Sequence, residues 1–207
     1  MAFSLMLLGG MEWLLFGGCG LALLLAPLLW VVMVYNRLRT QQVRAQNAFS
    51  QIDVQLKRRC DLIPNLVETV KGYMAHERGT LEAVINARAK ATSALAAVGG
   101  MPTNAMAMTA LAGASGALDS AVGRLFGLME AYPDLKANQN VLALQEELSS
   151  TENRIAFARQ GFNDSVMRLN ESIVVFPASV VARTFNIPTM GMFEADAADR
   201  ALPGVNF

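Results

Sequence analysis

The chain has 207 residues, with 17 Lys and Arg against 17 Asp and Glu, so it is formally neutral. That balance excludes a strongly basic nucleic-acid binder, and the two cysteines exclude a small domain built on a disulfide framework. The length is that of one domain with room for its own apolar core.

The first element in chain order is an uncharged run from Trp13 to Tyr35, WLLFGGCGLALLLAPLLWVVMVY. As a helix it reaches about 34 Å at 1.5 Å per residue, enough to cross a hydrocarbon core of roughly 30 Å. It reads as a transmembrane helix, with residues 1–12 as a short segment outside. Every Lys and Arg follows this run, beginning with Arg37, Arg39 and Arg44. The positive-inside rule therefore places the rest of the chain in the cytoplasm. Trp13, Trp30 and Tyr35 suit the headgroup layer, and Arg37 and Arg39 suit either topology alone or contact with anionic lipid. Gly18, Ala22 and Ala26 form a small-xxx-small stripe suited to a helix–helix seam; the ordinary abundance of Gly and Ala in spans is the alternative. The Phe16-Gly17-Gly18-Cys19 segment is a poor lipobox, because sixteen apolar residues follow the cysteine.

The body, residues 36–185, reads as four helical segments of an all-α, antiparallel, four-helix-bundle-like domain. Segment A covers about 36–59, with Ala45, Phe49, Ile52 and Leu56 at helical spacing. No breaker separates it from the span. Arg59 to Pro64 predicts a sharp turn, with Asp61 as N-cap and Pro64 in the first turn of segment B. Segment B runs to about Val98, burying Leu66, Val70, Tyr73, Leu81, Val84 and Leu95. Gly99-Gly100-Met101-Pro102 predicts a turn, and Thr103 or Asn104 caps segment C. Segment C ends near Ala131 and buries Met108, Leu111, Leu118, Val122, Leu125 and Met129.

A second stripe on segment C, Gly113, Gly116, Ser120, Gly123 and Gly127, costs helix stability. It predicts close approach of a neighbouring backbone, with Gly116, Gly123 and Gly127 as packing candidates; a poorly ordered segment is the alternative. Tyr132-Pro133-Asp134 breaks the chain, and Asn138 or Asn140 caps segment D. Its seam runs from Val141 through Leu148, Ile155, Phe162 and Leu169 to Phe176, alternating three and four apart as in bundles and coiled coils. Pro177 ends it. The tail, 186–207, is extended, and its apolar residues predict that it lies on the body or on a neighbouring subunit.

The chemical motifs are weak. His76-Glu77 lacks the second histidine, since Thr80 stands where a zinc-protease motif needs it. Cys60 follows Lys57, Arg58 and Arg59, yet has no histidine near it in sequence to form a nucleophilic pair. A Walker loop is absent, and no Glu-x-x-His pair supports a di-iron bundle. The reading is therefore no catalytic, cofactor-binding or metal-ligating residue. Asn47, Asn65, Asn153, Arg154, Asn163 and Asn170 lie near the seams, and predict either an internal polar network or water-facing positions.

Two runs, Asn47–Glu77 (NAFSQIDVQLKRRCDLIPNLVETVKGYMAHE) and Glu130–Arg159 (EAYPDLKANQNVLALQEELSSTENRIAFAR), resemble the LemA family of bacterial membrane proteins. The FPASVVARTF stretch and the closing P-x-V-x-F of Pro203 to Phe207 fit it as well. Cys60 departs from the family pattern, where an aromatic is more usual. The resemblance implies one span in the bacterial inner membrane, a cytoplasmic helical bundle and no established enzymatic activity. Together with the residues, it suggests a non-enzymatic scaffold that contacts lipid and self-associates into a homo-oligomer. The alternatives are an adaptor for a membrane protease or other membrane protein and, last, an enzyme with an unrecognised site.

Overall fold

The computed structural model describes the backbone of residues 2–74, 76–100 and 102–193, and side chains from Leu23 onward within those ranges, Leu24 apart. It is all-helical there: α1 is Ala2–Lys71, α2 Arg78–Val98, α3 Ala105–Met129, α4 Pro133–Lys136, α5 Gln139–Val174 and α6 Ala178–Thr184. The apolar run from Trp13 and the first body segment are thus one uninterrupted helix of 70 residues.

The expected turn at Arg59–Pro64 does not occur. Pro64 lies inside α1, and its missing N–H leaves the carbonyl four residues earlier, that of Cys60, without a helical donor. Arg88 of α2 takes that place, its Nε donating to the Cys60 carbonyl at 2.7 Å. Pro64 itself is exposed. The break falls later. Gly72 ends α1, with the Tyr73 and Met74 N–H groups closing on the Val70 carbonyl at 3.0 and 3.1 Å, and α2 begins at Arg78. Tyr73, expected in the seam, lies in this break and is exposed.

The remaining boundaries follow local chemistry. Gly99 and Gly100 adopt φ of +59° and +75°, a backbone that glycine enters without a Cβ penalty, and they terminate α2. Asn104 caps α3 by accepting from the Ala107 N–H at 3.2 Å. Pro133 occupies the first position of the single turn α4. Asn138 caps α5, accepting from Asn140 N–H at 2.9 Å.

Two compact units emerge. One comprises Met1–Thr40 with Ser172–Ile187, and the other Gln41–Glu171 with Pro188–Phe207. In the first, Leu38, Ala182 and Ile187 form a small core joined by Val34, Tyr35 and Ile173. The Tyr35 and Phe185 rings lie 4.8 Å apart, and Arg39 Nε donates to the Tyr35 hydroxyl at 3.1 Å. In the second, α1 contributes Ile63, Leu66 and Val70, α2 Leu81 and Val84, α3 Leu118, Val122 and Leu125, and α5 Val141 and Leu148 to one continuous core. Elsewhere in that unit Phe49 of α1 meets Phe162 of α5 edge-on at 5.7 Å. α3 is long and apolar enough to cross a membrane, but its Leu118, Val122, Leu125 and Met129 are buried in this core.

Replacing Arg88 by Ala leaves the Cys60 carbonyl unbonded and should cost about 1–3 kcal/mol in urea unfolding. In a Pro64→Ala background the amide restored at position 64 bonds that carbonyl, so the same Arg88→Ala change should cost clearly less. Equal losses in the two backgrounds would show that Arg88 does not compensate for the proline.

Candidate functional site

Three features within the larger unit bear on function: a buried charge, a grip on the tail and two open faces. The buried charge is Arg59, only 3% exposed. Its guanidinium pairs with Asp119 of α3, and its Nη2 lies 4.0 Å from Glu152 of α5. A charge in an apolar interior is tolerated only when paired, so Arg59 holds three helices in fixed register. Nothing in its surroundings marks it as a reacting group. Sequence reasoning missed it, counting Arg59 only as a cation beside Cys60. A signal was present: Asp119 is the one carboxylate of α3, an apolar helix whose other charge is Arg124, five positions on. Cys60 is buried and free.

The grip is made by two asparagines of α5. Asn170 Nδ2 donates to the Met190 carbonyl and the Met190 N–H donates to Asn170 Oδ1, both at 2.9 Å. Asn163 repeats the arrangement with Phe193, at 2.9 and 2.8 Å. Each amide thus behaves like one residue of a partner strand. The spacing matches: seven helical residues rise about 10.5 Å and three extended residues span about 10 Å. Met190 and Phe193 are buried, and the Arg159 guanidinium lies 4.8 Å above the Phe193 ring. Gly191 permits the fit, since a Cβ there would come within 2.7 Å of the Ala105 backbone. The expectation that the tail lies on the body is met for 188–193. Of the six polar seam residues, Asn163 and Asn170 are engaged, while Asn47, Asn65, Asn153 and Arg154 face outward.

The first open face is the glycine stripe of α3. A Cβ added at Gly113, Gly116, Gly123 or Gly127 would meet nothing within 4 Å. The close approach expected there does not occur among the described residues: the stripe points away from the buried seam. The second is a groove of about 850 Å³ between α1 and α5, lined by Ala48, Gln51 and Gln55 and by Asn153, Phe157 and Gly161 among others. Phe157, on its wall, is 80% exposed.

Of the membrane-interface candidates, Trp30 and Tyr35 are half-buried, and Arg37 and Arg39 are exposed, as is Ala26. The side chains of Trp13, Gly18 and Ala22 lie outside the described residues. Phe176, placed at the end of the α5 seam, is instead exposed, because the helix stops at Val174 before the seam reaches it. Among the described residues, no group of three or more His, Cys, Asp and Glu is placed to hold a metal.

The family model that matches this chain is that of the LemA family, over residues 48–207. "Magnetosome protein MamQ" of Magnetospirillum gryphiswaldense is 27% identical over 174 residues, covering 77% of this chain and 64% of its own length. The chain therefore spans somewhat less than two thirds of that relative. "Protein LemA" of Metamycoplasma hominis is 27% identical over 165 residues, covering 80% and 71%. "Magnetosome protein MamQ 2" of Paramagnetospirillum magneticum is 25% identical over 167 residues, covering 73% and 61%.

Replacing Asn163 and Asn170 together by Ala should release the tail. Hydrogen exchange at the Met190 and Phe193 amides should accelerate by about tenfold or more, taking roughly 1–2 kcal/mol for a lost pair of bonds. Exchange in the α3 core should stay unchanged. If the two tail amides keep their protection, the asparagines do not hold it.

Proposed function

The chain belongs to the LemA family, and on that premise we propose that it is a membrane-anchored, non-enzymatic helical scaffold that self-associates at the bacterial inner membrane. In this reading the apolar start of α1 spans the bilayer once, and the antiparallel bundle stands in the cytoplasm. Support for the antiparallel arrangement comes from the pairing of α1 with α5: Arg58 meets Glu147 at 2.7 Å, whereas the earlier Phe49 meets the later Phe162. Neither relative's name denotes an enzyme.

The observation that carries self-association is the outer face of α3. Each glycine in a helix interior costs about 1 kcal/mol relative to Ala, and Gly113, Gly116, Gly123 and Gly127 recover nothing from neighbours among the described residues. A second helix laid against them would. Small residues at alternating spacing let two backbones approach closely and gain dispersion contacts along their length. Copies anchored in one membrane by the same span of α1 would repeat the contact between α3 faces laterally. Membrane lipid is the second partner, through Arg37 and Arg39 and the aromatic Trp13, Trp30 and Tyr35.

The groove between α1 and α5 favours a second reading, an adaptor for a membrane protease or other membrane protein. A partner helix could rest its apolar side on Phe157 and Ala158. That reading calls for a monomer or dimer with one partner per copy.

Light scattering of the full-length protein in mild detergent, with the detergent contribution subtracted, separates the two. The scaffold requires a mass of many subunits that falls with dilution. Gly116→Leu with Gly123→Leu, bulky changes on an open face, should leave the fold intact by circular dichroism and reduce that mass severalfold. A monomeric or dimeric wild-type protein overturns the scaffold and leaves the adaptor.

A further inference from the structure

We propose that the corner where α5 passes into α6 is a second membrane contact, seated in the interfacial layer of the bilayer beside the exit of the α1 span. This rests on the anchor reading of α1. Val174, Val175, Phe176 and Val180 are all more than half exposed, Phe176 at 77% and Val174 at 71%. Scattered apolar residues on a surface need no explanation, but a Val-Val-Phe run with a fourth apolar neighbour is an exposed patch. It is not needed for packing: the small core beside it is made by Leu38, Ala182 and Ile187, with Ile173 and Tyr35 against it.

The occupant follows from what shares the compact unit. Ser172–Ile187 clusters with the first forty residues of the chain, where Leu28, Leu29, Val32 and Met33 are also exposed. The corner is thus continuous with the apolar surface assigned to lipid. The Phe185 ring meets that of Tyr35, the last residue of the uncharged run, at a tilt of 53°, which sets the corner at the boundary between hydrocarbon and headgroups. The charges agree. Residues 23–40 and 172–187 contain Arg37, Arg39 and Arg183 and no Asp or Glu. Exposed Glu171 stands one residue before the second stretch, so three arginines face one carboxylate, a balance that still suits an anionic bilayer surface. Buried in the interfacial layer, the patch gains the apolar transfer energy that water denies it.

Tryptophan quenching in vesicles tests this. The chain has two native indoles, Trp13 and Trp30. Three variants of the full chain are compared, each with a single indole. The first is Trp13→Phe, which keeps Trp30. The others replace both native indoles by Phe and carry either Phe176→Trp or Phe157→Trp. Each is reconstituted in phosphatidylethanolamine–phosphatidylglycerol vesicles, with lipid brominated near the headgroup end of the acyl chains. The expected result is loss of fluorescence at position 176 comparable to that of Trp30, with none at position 157. All four replaced positions exchange one aromatic for another, and 157 and 176 are exposed, so folding is preserved. If Trp30 is quenched while position 176 behaves like position 157, the corner proposal is overturned and the anchor stands. If Trp30 itself escapes quenching, the anchor reading fails and the corner falls with it.

Discussion

A guanidinium cannot rest in an apolar interior without a counter-charge, and the arrangement of the long helices follows from meeting that demand at Arg59. Asp119 brings α3 to it and Glu152 brings α5. One residue later, the Cys60 carbonyl, freed by Pro64, draws in Arg88 of α2. Two adjacent residues of α1 therefore fix the register of the other three long helices. Hydrophobic burial supplies most of the stabilisation, but it is not directional. The polar contacts at 59 and 60 are directional, and each joins α1 to another helix.

This explains which parts of the fold were legible in the sequence. Helix ends set by local chemistry were readable: Gly99-Gly100, the caps Asn104 and Asn138, and the breakers Pro133 and Pro177 act within a few residues of themselves. The seams of α3 and most of α5 were readable because apolar periodicity is local as well. Pro64 was misread because its rescue comes from Arg88, 24 residues further along and on another helix. No window around position 64 contains that information. The same holds for Arg59, whose partners lie far away in the chain. The glycine stripe of α3 was seen, but sequence could not tell a face turned to the chain's own core from one turned outward.

The candidate surfaces divide along the same line. Asn163 and Asn170 were marked as seam polars, yet their role depends on an extended segment twenty to thirty residues later, which carries no periodic signal of its own. The groove beside Phe157 was invisible, because it is the space left between α1 and α5 rather than a property of either. The open glycine face and the exposed corner at Phe176 are alike in one respect. Each keeps small or apolar groups exposed to water.

The asparagine grip on the tail has a consequence of its own. Its four hydrogen bonds end on backbone N–H and C=O groups, which every residue but proline provides. The bonds are therefore blind to which side chains stand at 190 and 193, and they measure only the length of chain between them. Substitution there can weaken apolar packing but leaves the rungs intact. An insertion or deletion between the two rungs leaves at most one of them closed. The device is a ruler: it tolerates changes of letter and rejects changes of count.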